Sequence, residues 1–280
     1  MGITAHQLLD LEQAAPTRLL SRHNQRNHTE ALFGGQVVGQ ALAAAAVTAG
    51  GHPAHSLHGY FLRAGAADLP VEYDVENLRD GRRFQARRVR ASQAGRLIFD
   101  MHCSFHDPEP GADRQVEMPL DVPAAEGLPS LADYVRANAD RLPPDIVANY
   151  GKPFPLELRL IDPERFFFDT RERWTREFWV RMRSAEGIED PVRNQCLLAF
   201  LSDYWLAGVA ITPLDRGRQF IASVDHAVWF HRPAGAGRWL LYRTDCPSMQ
   251  GGRGLARGQI FTEEGILAAS TAQEAVVRPR

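Results

Sequence analysis

The first clear pattern of apolar positions covers Phe33 to Thr48, FGGQVVGQALAAAAVT. Apolar residues recur there at helical spacing, which predicts a helix that ends before Gly50 and Gly51. Its surface consists mainly of Ala and Gly and is therefore smooth, so a β-sheet can approach it closely. This stretch therefore predicts a helix wrapped by a sheet.

Four stretches after this helix have the pattern of β-strands. Turn signals separate them, notably Arg79, Asp80 and Gly81, and then Ala94 and Gly95. One helix followed by a run of antiparallel strands predicts an α+β unit. The predicted strands are Ala54 to Leu62, Pro70 to Arg79, Arg82 to Gln93 and Arg96 to Phe105.

The composition changes between Glu109 and Pro155, where Pro, Ala, Asp and Glu become frequent. We interpret this region as a linker that contains a short amphipathic helix over Leu131 to Arg141. It separates an N-terminal unit from a C-terminal unit that carries the candidate catalytic residues. The predicted units are residues 1–110, 111–154 and 155–280.

The second half repeats the order of the first. Strands near Leu156 to Leu160 and Arg176 to Arg183 precede a helix, and further strands follow it. The helix has a clear start, because Asp190 can cap it and Pro191 fits the first helical position. Apolar residues continue the helical pattern: Leu197, Leu198, Phe200, Leu201 and Trp205.

Residue matches between the halves indicate a duplication. One set of residues matches at a constant offset of 170, and the offset just upstream is 169. Because both halves share the order helix, aromatic strand and Arg-rich hairpin, we interpret them as two copies of one domain. The first set pairs Arg83, Ala86, Arg87, Gly95 and Leu97 with Arg253, Ala256, Arg257, Gly265 and Leu267, and the second pairs Tyr60, Phe61, Arg63 and Tyr73 with Trp229, Phe230, Arg232 and Tyr242.

Composition and charge exclude several classes of protein. The 280 residues are 44% hydrophobic and 24% charged, which is typical of a folded domain. The net charge of −2 lacks the positive field of a general nucleic-acid binder, so we expect no nucleic-acid partner. The N-terminus lacks the pattern of a secretory signal and no apolar stretch suits a membrane helix, so we expect no membrane partner. Cys103, Cys196 and Cys246 have no CxxC spacing and indicate reduced thiols in a cytoplasmic protein.

Common catalytic motifs do not occur in the sequence. It contains neither a GxSxG serine elbow nor an HExxH zinc motif, and its only lysine, Lys152, lies in a proline-rich turn instead of a phosphate loop. Gly251 to Gly258, GGRGLARG, looks like a dinucleotide loop but does not open a helix of a βαβ unit. We therefore expect neither a cofactor nor a metal site.

Three polar residues occupy positions that chemistry can use. Asp203 shares an apolar face of the predicted second helix, where a carboxylate is costly unless it is hydrogen-bonded or used. Ser223 lies on a predicted strand and points to the same face as Asp225, whereas His226 points to the other. Gln273 lies in the strand-like run STAQEAVV and must find partners if it is buried. From position alone, a structural role explains Asp203 as well as catalysis does, and it explains Ser223 and Gln273 better.

The chain resembles the acyl-CoA thioesterase II (TesB-type) family across Leu32 to Val277. The resemblance implies two hotdog repeats in one chain, each an antiparallel sheet wrapped around a long helix. It also implies hydrolysis of fatty acyl-CoA by a water that Asp203, Ser223 and Gln273 hold. The runs that carry it are FGGQVVGQALAAA, HSLHGYFLRAG, LRDGRRFQARRV, DHAVWFHRP, RGLARGQIF and GILAASTAQEAVVR.

Two features depart from the family pattern. Bacterial members carry Thr where this chain has Ser223, so the hydroxyl is kept but the stiffer rotamer of Thr is lost. We expect this to change the turnover and not the chemistry. The stretch Cys246 to Gly252, CPSMQGG, varies in the family and lies near the pocket by resemblance, so it bears on acyl-chain preference.

We predict that Asp203 takes a proton from the water while Ser223 and Gln273 fix its position. The donor to the oxyanion is either a backbone N–H of the second helix or the Gln273 amide. The first helix has no acid that matches Asp203, which predicts one active site per chain. The arginines from Arg87 to Arg90 either meet CoA phosphates or form a solvated hairpin face, and the second interpretation is favoured.

Two alternative functions remain at this point. One is a hotdog hydratase or dehydratase that uses Asp225 and His226, although adjacent strand residues point to opposite faces. The other is a protein that binds acyl-CoA without turnover. Exposed sheet edges also predict a homo-oligomer, a dimer or a tetramer, because edges are usually covered by pairing.

Overall fold

The structure is a computed structural model that describes residues 2–27, 29–151, 154–168, 174–211 and 219–279. Lys152 and Pro153, near the end of the predicted linker, lie outside the described residues, as does Arg280. No helix among the described residues is long and apolar enough to cross a lipid bilayer.

The first half contains the predicted long helix and the four predicted strands. A short helix and a hairpin precede them. The long helix ends at Val47 with Thr48 as its C-cap, and Gly50 and Gly51 follow with φ values of 63° and 88°, which suit glycine. The elements are α1 (Ala5–Leu8), β1 (Leu11–Ala15), β2 (Arg18–Ser21), α2 (Gly34–Val47), β3 (Ala54–Phe61), β4 (Glu72–Asp80), β5 (Phe84–Gln93) and β6 (Arg96–His106).

The linker region holds two short helices where the sequence predicted one. The predicted helix ends at Ala137 instead of Arg141, and α4 was not predicted. In the second half, Asp190 caps the long helix by accepting the N–H groups of Val192 and Arg193, as predicted. The elements are α3 (Leu131–Ala137), α4 (Pro144–Tyr150), β7 (Glu157–Leu160), α5 (Pro163–Phe168), β8 (Thr175–Arg181), α6 (Pro191–Ser202), β9 (Gln219–Ser223), β10 (Asp225–Phe230), β11 (Leu240–Gln250), β12 (Arg253–Thr262) and β13 (Leu267–Pro279).

One antiparallel sheet connects all the strands of the described residues. Its order is β1-β2-β4-β5-β6-β3-β10-β13-β12-β11-β8-β7, and β9 pairs with β13. The order from β1 to β3 has the same topology as the order from β7 to β10, and the two repeats meet where β3 pairs with β10. The predicted α+β fold class, with two helix-and-sheet repeats in one chain, is confirmed.

The two long helices lie against each other inside the sheet. A Cβ atom at Gly35 would lie 2.5 Å from the Phe200 carbonyl oxygen, and one at Gly39 would lie 2.8 Å from that of Cys196. Any larger residue would therefore push α2 away from α6. The small residues of α2 allow a helix, as well as the predicted sheet, to approach closely.

The register of the sheet shifts the predicted matches of Arg83, Ala86 and Arg87 by one residue. Arg87 is 1% exposed and points inward, whereas Arg257 is exposed and binds Asp245 on the outer face. By the strand register, the turn between β12 and β13 is one residue longer than the turn between β5 and β6, so the offset before it is 169 and Ala256 is the counterpart of Arg87. The match of Gly95 with Gly265, at the end of these turns, agrees with the structure, because both have positive φ values, 74° and 80°.

Candidate active site

The apolar periodicity predicted that Asp203 lies within the second helix. It lies instead at the C-terminal end of α6. The helix ends at Ser202, and Asp203 is its C-cap residue. Trp205 has a φ of 61°, a left-handed conformation that an α-helix does not allow. The chain therefore turns immediately after Asp203, whose side chain is only 7% exposed.

The structure brings Asp203, Ser223 and Gln273 together. The Nε2 atom of Gln273 donates to Asp203 Oδ1 at 2.7 Å and to Ser223 Oγ at 3.0 Å. Ser223 is the last residue of β9 and pairs with Ala275 of β13, while Gln273 points inward from β13 and is fully buried. One amide thus connects three elements that are distant in the sequence.

The amide of Gln273 has one chemically sensible orientation. A carboxylate only accepts hydrogen bonds, so the nitrogen, and not the oxygen, must face Asp203. The remaining atom, Gln273 Oε1, is buried and accepts no hydrogen bond from the described residues. Because a buried acceptor without a partner is unfavourable, this oxygen is suited to bind a small donor.

The N-terminal end of α2 also lies beside Asp203, which the sequence did not predict. A Cβ atom at Gly34 would lie 3.0 Å from Asp203 Oδ2 and 3.1 Å from the Phe61 ring. Phe33 makes no side-chain cap, so the first N–H groups of this helix have no partner inside it. The C-terminal end of α6 presents carbonyl groups instead, so the N–H groups at this site come from the first helix and not from the second.

Aromatic rings surround the carboxylate on the helix side. Phe33 lies 4.5 Å from Tyr204 and 5.4 Å from Phe200, measured between ring centroids. Burial raises the pKa of Tyr204 well above its ordinary value, and the nearby Asp203 adds to this effect. These contacts make the site an apolar enclosure with a few polar groups.

Asp225 and His226, the pair of the alternative dehydratase hypothesis, point in opposite directions. Asp225 Oδ2 lies 3.0 Å from His58 Nε2, and its Oδ1 accepts the N–H of Glu274 at 2.7 Å. His226 is fully buried and lies 2.8 Å from Ser202 Oγ through Nε2. The two side chains therefore do not form one acid–base pair.

The arginines of the first hairpin do not form one cationic surface. Arg87 donates to Thr48 Oγ1 at 2.8 Å and to the Thr48 carbonyl oxygen at 2.9 Å, so it caps the end of α2 from inside the sheet. Arg88 binds Asp100 at 2.6 Å on the outer face. Arg87 therefore fits neither interpretation, because it is buried from solvent and from a ligand, and for Arg88 and Arg90 the solvated face stays a prediction.

Comparison with known proteins identifies the two halves. The family model of the acyl-CoA thioesterase N-terminal domain matches residues 23–106, and that of the acyl-CoA thioesterase C-terminal domain matches residues 119–277. Human acyl-coenzyme A thioesterase 8 is 38% identical over 257 residues, which cover 88% of this chain and 80% of the human protein.

Solved structures are similar over nearly the whole chain. An acyl-CoA thioesterase II from Mycobacterium marinum has 34% sequence identity and a TM-score of 0.80, with 99% of both chains covered. A protein with a hotdog fold from Alicyclobacillus acidocaldarius has a TM-score of 0.76 at 18% identity and covers 98% of this chain and 97% of its own. This second likeness supports the fold alone, which is the predicted double hotdog.

Proposed function

Because the chain belongs to the TesB-type acyl-CoA thioesterase family, we propose that it hydrolyses fatty acyl-CoA to a free fatty acid and CoA. The observation that carries this proposal is the buried Gln273 amide, which donates to both Asp203 and Ser223. Such a constellation, in an apolar enclosure, can hold and activate one water molecule.

Asp203 is the proposed general base. Its Oδ1 already accepts from Gln273, whereas Oδ2 receives no hydrogen bond from the described residues and can take a proton from water. Ser223 Oγ accepts from Gln273, so its own hydrogen can orient the water. Gln273 Oε1, which is buried and has no partner in the part of the chain that the structure describes, can accept a second hydrogen of that water.

The first turn of α2 is the proposed oxyanion site. Its N–H groups at Gly34 and Gly35 lack partners in the helix, and the positive end of the helix dipole adds to their effect. The negative charge that develops on the thioester carbonyl oxygen is stabilised by such preorganised donors. Their closeness to Asp203 puts this end of α2 within reach of the reacting carbonyl group.

The reaction is balanced without a covalent acyl-enzyme. The water oxygen forms a bond to the thioester carbon while its proton moves to Asp203. The carbon–sulfur bond then breaks, and the proton passes to the leaving thiolate. The products are a carboxylic acid and CoA, and Asp203 returns to its carboxylate form.

A thiol-release assay over a series of acyl-CoA chain lengths tests the proposal. We expect CoA release with at least one chain length and no hydration of crotonyl-CoA in a parallel assay. Hydration without thiol release would support the dehydratase alternative instead. Tight binding of every acyl-CoA without any thiol release would support the non-catalytic one.

Three sequence-based expectations accompany this proposal. The chain divides into the units 1–110, 111–154 and 155–280, it acts in the cytoplasm, and it forms a homo-oligomer, a dimer or a tetramer.

A further inference from the structure

His226 lies directly behind the proposed base but does not touch the proposed water site. Its imidazole is fully buried, with Nε2 2.8 Å from Ser202 Oγ and Nδ1 3.8 Å from Asp203 Oδ1. Nδ1 has no hydrogen-bond partner among the described residues. A buried nitrogen without a partner, aimed at a buried carboxylate, requires an explanation.

The tautomer of this imidazole follows from Ser202. The Ser202 hydroxyl donates its single hydrogen to the Ala199 carbonyl oxygen at 2.9 Å. A carbonyl oxygen only accepts, so the hydrogen of this bond comes from the Ser202 hydroxyl. Ser202 Oγ must therefore accept from His226, so Nε2 carries the hydrogen and Nδ1 carries a lone pair.

The separation of 3.8 Å agrees with this assignment. A protonated Nδ1 would donate to the carboxylate at about 2.7–2.9 Å, as charge-assisted hydrogen bonds do. Two acceptors stay apart instead. Burial lowers the pKa of His226. The carboxylates of Asp203 and Asp225 raise this pKa to a smaller extent, and His58 lowers it further. The ring is therefore neutral.

The first repeat provides an internal comparison. The pairs Leu57 with Val228 and Gly59 with His226 are related by the symmetry of the central strand pair, so Leu57 is the counterpart of His226. The counterpart of Asp203 as the C-cap of the long helix is Thr48. The imidazole is therefore present in the repeat that has the carboxylate and is replaced by an apolar side chain in the repeat that lacks it.

We infer that His226 is a positioning residue whose unprotonated Nδ1, fixed by Ser202, faces Asp203 and favours proton transfer from water to that carboxylate. The lone pair repels the negative charge on Oδ1, and the repulsion is relieved when the carboxyl group takes the proton at Oδ2. This role rests on the proposed function of Asp203. Ser202 acts only through the tautomer that it selects.

The tautomer can be measured independently of catalysis. In the full-length protein labelled with 15N-histidine, we expect a pyridine-like shift for Nδ1 of His226 and a pyrrole-like shift for Nε2, assigned by comparison with His226→Gln. Ser202→Ala removes the acceptor of Nε2–H, so the ring should change to the Nδ1–H tautomer and donate to Asp203. A protonated Nδ1 in the unmodified protein would overturn the inference, whatever the activity.

Kinetics of the same variants complete the test. We expect Ser202→Ala to lower kcat about tenfold, the effect of roughly one hydrogen bond, with KM within about twofold, and Ser202→Thr, which keeps the hydroxyl, to restore kcat. His226→Gln keeps a donor toward Ser202 but lacks Nδ1, so it should lower kcat similarly. If the tautomer changes and kcat does not, the inference is wrong. Full activity of Asp203→Asn would instead overturn the proposed function, while the 15N shifts of the unmodified protein would be unaffected.

Discussion

Replacement of Asp203 by Asn removes the proposed base and changes little else. Asn is nearly the same size as Asp and keeps a carbonyl oxygen that can accept from Gln273 Nε2. In the unmodified protein this nitrogen lies 2.7 Å from Asp203 Oδ1. The position of Ser223 should also be preserved, because its bond to the same nitrogen does not involve the lost charge. The substitution therefore separates proton abstraction from the positioning of the water.

The magnitude follows from this separation. General base catalysis contributes about 10²–10⁴ to a rate, or roughly 3–5 kcal/mol of transition-state stabilisation. Weakening of the charge-assisted bond from Gln273 adds about 1 kcal/mol at most. We therefore expect kcat to fall by at least about 10²-fold. The free energy of unfolding should not fall by more than about 1 kcal/mol, because the change removes a buried charge that no arginine of the described residues pairs with.

The assay is thiol release from an acyl-CoA, with thermal unfolding measured on the same preparations. Asp225→Asn is the matched control, because Asp225 lies on the outer side of β10 and Asn retains the acceptor for the Glu274 N–H. We expect its kcat to stay within about twofold of the unmodified protein, the scale of a surface substitution. If Asp203→Asn retained more than about a third of the original kcat, well above the loss of a general base, Asp203 would not be the base.

Four further predictions follow from other contacts. Ser223→Ala should lower kcat about tenfold, the scale of one hydrogen bond, whereas Ser223→Thr should not, as steady-state kinetics can check. Gly34→Ala should lower kcat by more than it raises KM, because the added Cβ would lie 3.0 Å from the proposed base; equal kcat in both proteins would contradict this. Arg87→Met should reduce the free energy of unfolding by about 3 kcal/mol, since buried carbonyl groups lose their donor, and urea titration measures this. Burial raises the pKa of Cys103 and Cys196 to about 12, so neither thiol should react with Ellman's reagent at pH 8 until the protein is unfolded.

The sequence predicted those features that depend on local patterns. The start of α6 was readable because Asp190 and Pro191 are local signals for a helix N-terminus. The end of α6 was not readable, because neither Gly nor Pro occurs among the four residues after Asp203. The chain turns away after Asp203 at Trp205, a residue type that rarely adopts a positive φ. Tertiary contacts, and not local preference, set this end of the helix.

The same limit applies to the site. Family resemblance identified the trio, but the contribution of Gly34 depends on a contact between residues 34 and 203, which no local pattern records. The inward position of Arg87 was missed for a similar reason, since a one-residue difference between the two hairpin turns shifts the match between the repeats and exchanges the faces of the strand. For the contact of Gly34 with Asp203, the sequence offered one signal, the pair Gly34 and Gly35 directly after Phe33.

The equivalent positions of the first repeat explain why the proposed chemistry is confined to the second repeat. By the offsets of the two repeats, Cys103 is the counterpart of Gln273, and Ala54 is the counterpart of Ser223. Neither can hold a water as an amide and a hydroxyl do. Substitution of these positions alone would still not create a second site, because other side chains already occupy the contacts.

At these positions of the first repeat, the polar groups already bond to side chains of the protein. Gln195 of α6 accepts the Ala54 N–H at 2.9 Å and donates to the Ala54 carbonyl oxygen at 2.7 Å. Arg87 donates to both oxygen atoms of Thr48, at the position that corresponds to Asp203. These bonds stabilise the fold and occupy the polar groups of Ala54 and Thr48, whereas Gln273 Oε1 in the second repeat has no hydrogen-bond partner among the described residues. The polar groups of the first repeat therefore stabilise the fold, and those of the second carry the proposed chemistry. Replacement of Arg87 should lower the free energy of unfolding and leave kcat nearly unchanged.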